Sequence, residues 1–148
     1  MNSRPIKLDV LQSWTRFDNP ALKSYSGTLE YTREFDLGAG WLAGRSGIVL
    51  AMGKVHELAE VELNGQRFNP LWKPPFNVEV SGAVRSGRNE LRVRVTNFWP
   101  NRIIGDQLLP PEQRVTGTNI RKLTGETSLM DSGLIGPVRL RPALTTQS

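Results

Sequence analysis

The sequence predicts an all-β domain, a β-sandwich of the jelly-roll kind with about eight strands. Three observations carry that expectation. Apolar residues recur with a period of two rather than 3.6. The alternating runs are short and are punctuated by Gly, Pro and Asn. No stretch offers the apolar stripe of a long amphipathic helix. With 148 residues, the chain is long enough for one domain with a full core.

Taken in order, PIKLDVLQSW reads as a first strand. In TLEYTREFDL, Leu29, Tyr31, Phe35 and Leu37 alternate with polar neighbours, and Arg33 interrupts the apolar phase. Ile48 to Met52 is apolar on both phases, which suggests burial on both faces. AEVELNGQRF places Asn64-Gly65 between two short runs, the strongest local signal for a hairpin. FNVEV puts Phe76, Val78 and Val80 on one face. Ser81-Gly82 and Ser86-Gly87 mark turns. From Asn89 to Val95, Leu91, Val93 and Val95 point inward, with Arg92 and Arg94 outward. GPVRLRP repeats that pattern with Val138 and Leu140 in, and Arg139 and Arg141 out. The closing TTQS reads as a frayed tail.

Two stretches lack the pattern, one from about Thr15 to Ser26 and one from about Asn97 to Gly133. In a sandwich such connections lie at the ends of the sheets, where function concentrates. The second holds TNFWPNRIIGDQLLPPE, rich in bulky residues.

Composition narrows the function classes. No apolar run approaches the ~20 residues of a membrane span. The start, MNSRPIKLDVLQ, has no apolar core of a signal peptide, and the compartment is left open. The absence of cysteine removes disulfides, thiolate chemistry and Cys-ligated zinc. The net charge of +5 suits an acidic glycan or nucleic acid, or simply a solvated surface with dispersed Arg. Nucleic acid is disfavoured, because basic residues interleave with aromatics only near Trp99 to Arg102.

Candidate chemistry is sparse. His56 is the single histidine, and HELAE lacks the second His of a helical zinc site. The segment reads as strand, so His56 is expected at a strand edge. Glu30, Glu34, Glu60 and Glu62 read as solvated outward positions. Asp106, Glu112, Glu126 and Asp131 lie in the long non-alternating stretch. No P-loop or EF-hand pattern occurs.

The tryptophans carry more. Trp14 and Trp41 sit near strand ends. Trp72, in NPLWKPPFNV, is followed by Lys73, and Trp99, in NFWPNR, by Asn101 and Arg102. A flat aromatic beside hydrogen-bonding side chains suits a sugar ring, whose CH face stacks while polar groups take the hydroxyls. The alternative is that each indole caps the core at a sheet end. That alternative is preferred for Trp72; for Trp99 the two stand level.

The segments YSGTLEYTREFDL, MGKVHELAEVELNGQRF, PPFNVEVSGAVRSGRNELRVRVTN and SGLIGPVRL follow one another in this order. Together they resemble the galactose-binding-like jelly-roll domain that accompanies catalytic barrels in glycoside hydrolase family 2. LWKPPF and TNFWPNRIIGD bring the chain closer to the accessory domain of family 106 α-L-rhamnosidase-like enzymes. The resemblance covers roughly residues 11 to 142. It implies a non-catalytic module beside a separate catalytic domain, with carbohydrate, acidic or rhamnose-containing, as partner. It also implies that the loop after NELRVRV reaches toward sugar. Asn101 falls there, with Trp99 and Arg102 beside it and Asp106 as a further contact. Tyr25, in the segment before the first matched strand, approaches the same place. Domains of this kind often carry a structural calcium, and no ligand pattern in the sequence points to one. No catalytic barrel is present in the chain. A purely structural domain packed on such a barrel, and a small glycosidase using Asp106 and Asp131, are the rival readings.

Overall fold

Alternation becomes pairing in β1 (Thr28–Leu37) and β7 (Gly87–Thr96). They run antiparallel in unbroken register, from Thr28 opposite Thr96 to Leu37 opposite Gly87. The computed structural model describes residues 11–18, 23, 25, 27–44, 47–97, 112 and 132–143. Between the two long strands lie α1 (Ala39–Leu42), β2 (Ile48–Ala51), β3 (Lys54–His56), β4 (Leu58–Leu63), β5 (Gln66–Arg67) and β6 (Asn77–Glu79). β8 (Gly133–Gly136) and β9 (Arg139–Pro142) follow.

These elements form a β-sandwich. One sheet has the order β1-β7-β4-β5, a second the order β6-β2-β9, and β3 pairs with β8 alone. The ladder of β2 with β9 ends at Ala51 opposite Arg139, and that of β3 with β8 begins at Lys54 opposite Gly136. The two pairs therefore follow one another along a single antiparallel ribbon. Nine strands are seen among the described residues, against about eight expected.

Period two produces the core directly, because successive side chains of a strand face opposite ways. Leu91, Val93 and Val95 of β7 are buried with Val61 and Leu63 of β4. From the other sheet come Ile48, Leu50, Met52, Val78 and Val80. Each such aliphatic side chain contributes roughly 1.5–3 kcal/mol when fully withdrawn from water. β1 lies at the sheet edge and is only half-buried on its inward phase. Arg33 occupies that inward phase, opposite Leu91, and is exposed.

The Asn64-Gly65 hairpin forms as its residues require. Both have positive φ, 52° and 83°, between Leu63 and its partner Gln66. At this end of the sandwich Asn89, fully buried, gathers the turn residues. Its Nδ2 donates to the Arg85 and Gly87 carbonyls at 2.7 and 3.0 Å. Its Oδ1 accepts from the Arg85 N–H at 3.0 Å and from Asn64 Nδ2 at 2.8 Å.

Two expectations need correction. The described end of the proposed first strand, Leu11 to Trp14, is not extended. Ser13 caps a 3-10 turn at Trp14–Arg16 by accepting from the Thr15 N–H, and the turn sinks Trp14 completely into the core. The remainder of that segment lies outside the described residues. The run from Ile48 to Met52 is not buried on both faces either. Ile48, Leu50 and Met52 are buried, while Val49 and Ala51 point to the outer side of the three-stranded sheet and stay half-exposed.

Candidate functional site

Those candidate residues that are described, Tyr25, Trp72 and Lys73, lie at one rim of the sandwich. It is the row where Thr28 faces Thr96 and Thr96 faces Leu58. One residue further in, the row runs Leu29, Val95, Ala59 and Leu71, the last through an isolated bridge. Ala59 and Leu71 exchange two backbone hydrogen bonds of 2.8 Å.

That bridge fixes the backbone from which Trp72 projects. Trp72 is 69% exposed, the single large exposed hydrophobic side chain among the described residues. It therefore does not cap the core, contrary to the reading preferred from sequence. The short bridge buries Leu71 partly and leaves the next residue, between Pro70 and Pro74, outside the packed layer. Lys73 Nζ lies 5.4 Å from the centre of the indole. A cation over an exposed ring contributes about 0.5–1 kcal/mol, enough to bias both side chains toward one arrangement.

Asn97 follows the last residue of β7 on the same rim and is buried. Its Oδ1 accepts the Gly27 N–H at 3.0 Å, its own N–H donates to the Gly27 carbonyl at 3.1 Å, and its Nδ2 donates to the Tyr25 carbonyl. Tyr25 is half-buried. Its ring meets Trp14 with centroids 5.8 Å apart, and its hydroxyl donates to the Thr28 carbonyl at 3.4 Å. The Tyr25 hydroxyl thus has a partner within the chain.

Trp14 extends this chain of contacts to the other side of the long connection. Its N–H donates to the Ser132 carbonyl at 3.0 Å, and Ser132 N–H donates to Ser13 Oγ at 3.1 Å. The indole Nε1 donates to the Tyr31 hydroxyl at 2.5 Å, which also accepts the Leu134 N–H at 3.2 Å. Burial pushes the Tyr31 phenol above its ordinary pKa, and the two donated hydrogen bonds offset part of that rise. Asn97 and Ser132, on either side of residues 98–131, are therefore both fastened to the segment that runs from Ser13 to Gly27.

Trp72 and Lys73 are adjacent and exposed. Tyr25 precedes β1, whose Leu29 stands three strand spacings, about 14 Å, from Leu71. Trp99, Asn101, Arg102 and Asp106 lie outside the described residues, as do Glu126 and Asp131. Sequence reasoning missed a polar pair on this rim. Glu57 donates its N–H to the Thr96 carbonyl at 3.0 Å, and His56 Nδ1 lies 3.8 Å from its carboxylate. Both side chains are about one-third exposed, at 37% and 36%. The signal was the register of HELAE against the end of β7, which no local pattern reveals. Among the described residues no group of three His, Cys, Asp or Glu is placed to hold a metal ion.

No protein-family profile matches the chain. A curated protein of Formosa agariphila, named as a beta-glucuronidase, is 35% identical over 158 aligned positions, covering 91% of this chain and 14% of its own length. The solved structure of a rhamnosidase from Novosphingobium sp. PP1Y superposes with a TM-score of 0.81 at 38% identity, over 91% of this chain and 13% of that enzyme. A beta-glucuronidase of Bifidobacterium dentium superposes at 0.57 with 28% identity, over 64% of this chain and 15% of the other. The chain is thus similar, through most of its length, to one segment of much larger glycosidases, and it spans 14% and 13% of the first two.

Proposed function

We propose that the chain is a non-catalytic, galactose-binding-like carbohydrate module of a glycosidase, and that it contacts glycan at the rim just described. The observation that carries the reading is Trp72, exposed yet held by the Leu71 bridge, with Lys73 beside its ring. An indole so placed stacks on the CH face of a sugar, and the ammonium reaches a hydroxyl or carboxylate at its edge. Trp99, Asn101, Arg102 and Asp106 complete the contact from the connection that leaves β7 at Asn97. Tyr25 supports that connection from below. The likeness to a rhamnosidase and to beta-glucuronidases supports a rhamnose-containing or acidic glycan.

Calorimetric titration of the chain with neutral and acidic oligosaccharides tests the reading. Trp72→Ala should weaken binding about tenfold or more, the worth of one stacked aromatic, with an unchanged melting temperature. Absence of binding to any saccharide at millimolar concentration would sink the proposal.

A second reading draws on the same exposed indole: Trp72 anchors the domain on a catalytic barrel. The isolated chain would then self-associate, and Trp72→Ala would abolish the association without touching glycan affinity.

A further inference from the structure

The two outer faces of the sandwich treat their arginines differently. On the β1-β7-β4-β5 sheet, each outward arginine meets a carboxylate. Arg67 lies 3.2 Å from Glu62, Arg92 2.7 Å from Glu90 and Arg94 3.1 Å from Glu30, and Arg88 pairs with Glu34. Carboxylates outnumber arginines on that face, with Asp36 and Glu60 beyond the four pairs, and among the described residues it offers no unpaired arginine.

On the β6-β2-β9 sheet the pattern reverses. Arg141 stands opposite Val49, and Val49 opposite Glu79; Arg139 stands opposite Ala51, and Ala51 opposite Asn77. Glu79 is the one carboxylate in these rows; it is exposed and stands on the far strand, two strand spacings from Arg141. It accepts the Ser81 N–H at 3.1 Å and the Ser81 hydroxyl, which hold its carboxyl below the usual range. Among the described residues, neither Arg139 nor Arg141 enters an ion pair. Arg141 is half-buried nonetheless. A long side chain on a strand face covers apolar surface with its stem while its guanidinium stays in water.

We propose that this face is a second binding surface, on which Arg139 and Arg141 hold a glycan bearing carboxylate or sulfate groups. The inference takes its ligand class from the carbohydrate reading above, but needs neither Trp72 nor the rim. The dimensions choose the ligand. The two rows span about 10 Å across three strands and about 7 Å along them. That matches one or two sugar rings and is far below the ~800 Å² per partner of a stable protein interface. Arg139 and Arg141, whose backbone positions stand about 7 Å apart on one strand face, carry guanidinium forks suited to bidentate pairing with planar or tetrahedral oxyanions. Val49 and Ala51 supply a small, flat apolar floor between Arg139 and Arg141 on one side and Asn77 and the Ser81-bonded Glu79 on the other.

Titration of the chain with hexagalacturonate, a sulfated cellohexaose and plain cellohexaose, at low salt, tests the proposal. Arg139→Gln with Arg141→Gln should weaken one or both anionic ligands about tenfold or more, the worth of a charge-assisted hydrogen bond. The two anionic arms tell carboxylate from sulfate recognition. A control, Arg92→Gln with Arg94→Gln, removes equal charge from the opposite face and should change affinity less than about twofold. Should the double variant melt early, Arg139→Gln alone, at an exposed position, keeps the test open. Equal losses in both double variants would mean diffuse charge attraction and overturn the proposal. Anionic binding that survives in the Arg139/Arg141 variant but disappears in Trp72→Ala overturns this face and leaves the rim reading standing. Failure of both anionic glycans while cellohexaose still binds has the same meaning. Failure of all three saccharides overturns both.

Discussion

Asn97 and Gly27 are joined by a reciprocal pair of hydrogen bonds across 70 residues of sequence: Gly27 N–H to Asn97 Oδ1 at 3.0 Å, and Asn97 N–H to the Gly27 carbonyl at 3.1 Å. With the third bond to the Tyr25 carbonyl, one buried side chain fixes how the chain enters β1 and leaves β7. Asn97→Ala strips a backbone donor and a backbone acceptor of their partners, each worth roughly 1–3 kcal/mol when buried. The expected loss is about 2–4 kcal/mol in urea unfolding. Asn97→Asp keeps the acceptor for Gly27 and should recover part of it. Equal losses in the two variants would show that the Gly27 bond contributes nothing.

Tyr31 is the second test. Its hydroxyl serves Trp14 Nε1 and the Leu134 N–H together. Tyr31→Phe leaves both donors unpartnered against the core, at a cost of about 2 kcal/mol or more. The phenol itself should titrate above the ordinary tyrosine value, seen as a delayed component in ultraviolet absorbance that vanishes in the variant. The sign follows from linkage. The folded pKa lies above the unfolded one, so the contribution is complete below the unfolded value and is lost as pH rises through the folded one.

Asn89 offers a contrast at the far end of the sandwich. It makes four hydrogen bonds while fully buried. Asn89→Ala should cost about 3 kcal/mol or more, since several backbone groups lose partners in a low-dielectric site. At temperatures where the variant remains folded, saccharide affinity should match the parent, because the rim lies at the opposite end of β7. A selective loss of affinity would contradict the placement of the site.

Much of the framework was legible locally. The strict alternation from Asn89 to Val95 and the Asn64-Gly65 turn determined β7 and the β4–β5 hairpin without reference to the rest of the chain. β3 and β8 were not legible as a pair. Each is three or four residues long, β8 is bounded by Gly133 and Gly136, and the two meet across nearly eighty positions. The segment ending at Trp14 misled because a 3-10 turn capped by one serine, not a strand, carries the indole into the core. Trp72 misled in the opposite direction, because one isolated bridge at Leu71 decides that the indole stays outside. The contrast between paired and unpaired arginines was hidden for a related reason. RVR and RLR look alike in sequence; Glu90, two residues before Arg92, is local, but only cross-strand register brings Glu30 to Arg94 and leaves Arg139 and Arg141 opposite Ala51 and Val49. Trp99, Asn101, Arg102 and Asp106 remain proposals resting on resemblance and position.

The exposed arginine on the inward phase of β1 has a bearing on how the molecule behaves in a crowd. Among the described residues β1 pairs with β7 on one side only, so every second residue of this ten-residue strand turns its backbone donor and acceptor to the sheet margin. Such a margin templates strand addition by another chain. Arg33 would have to be buried without a counter-ion for a second sheet to stack there in register, which penalises fibril-like growth. Arg33→Val would restore an uninterrupted apolar phase from Leu29 to Leu37. Its expected phenotype is concentration-dependent aggregation, measured by light scattering on brief heating, with little change in the melting temperature of dilute protein. A variant that stays monomeric under those conditions would assign the protection elsewhere on the margin.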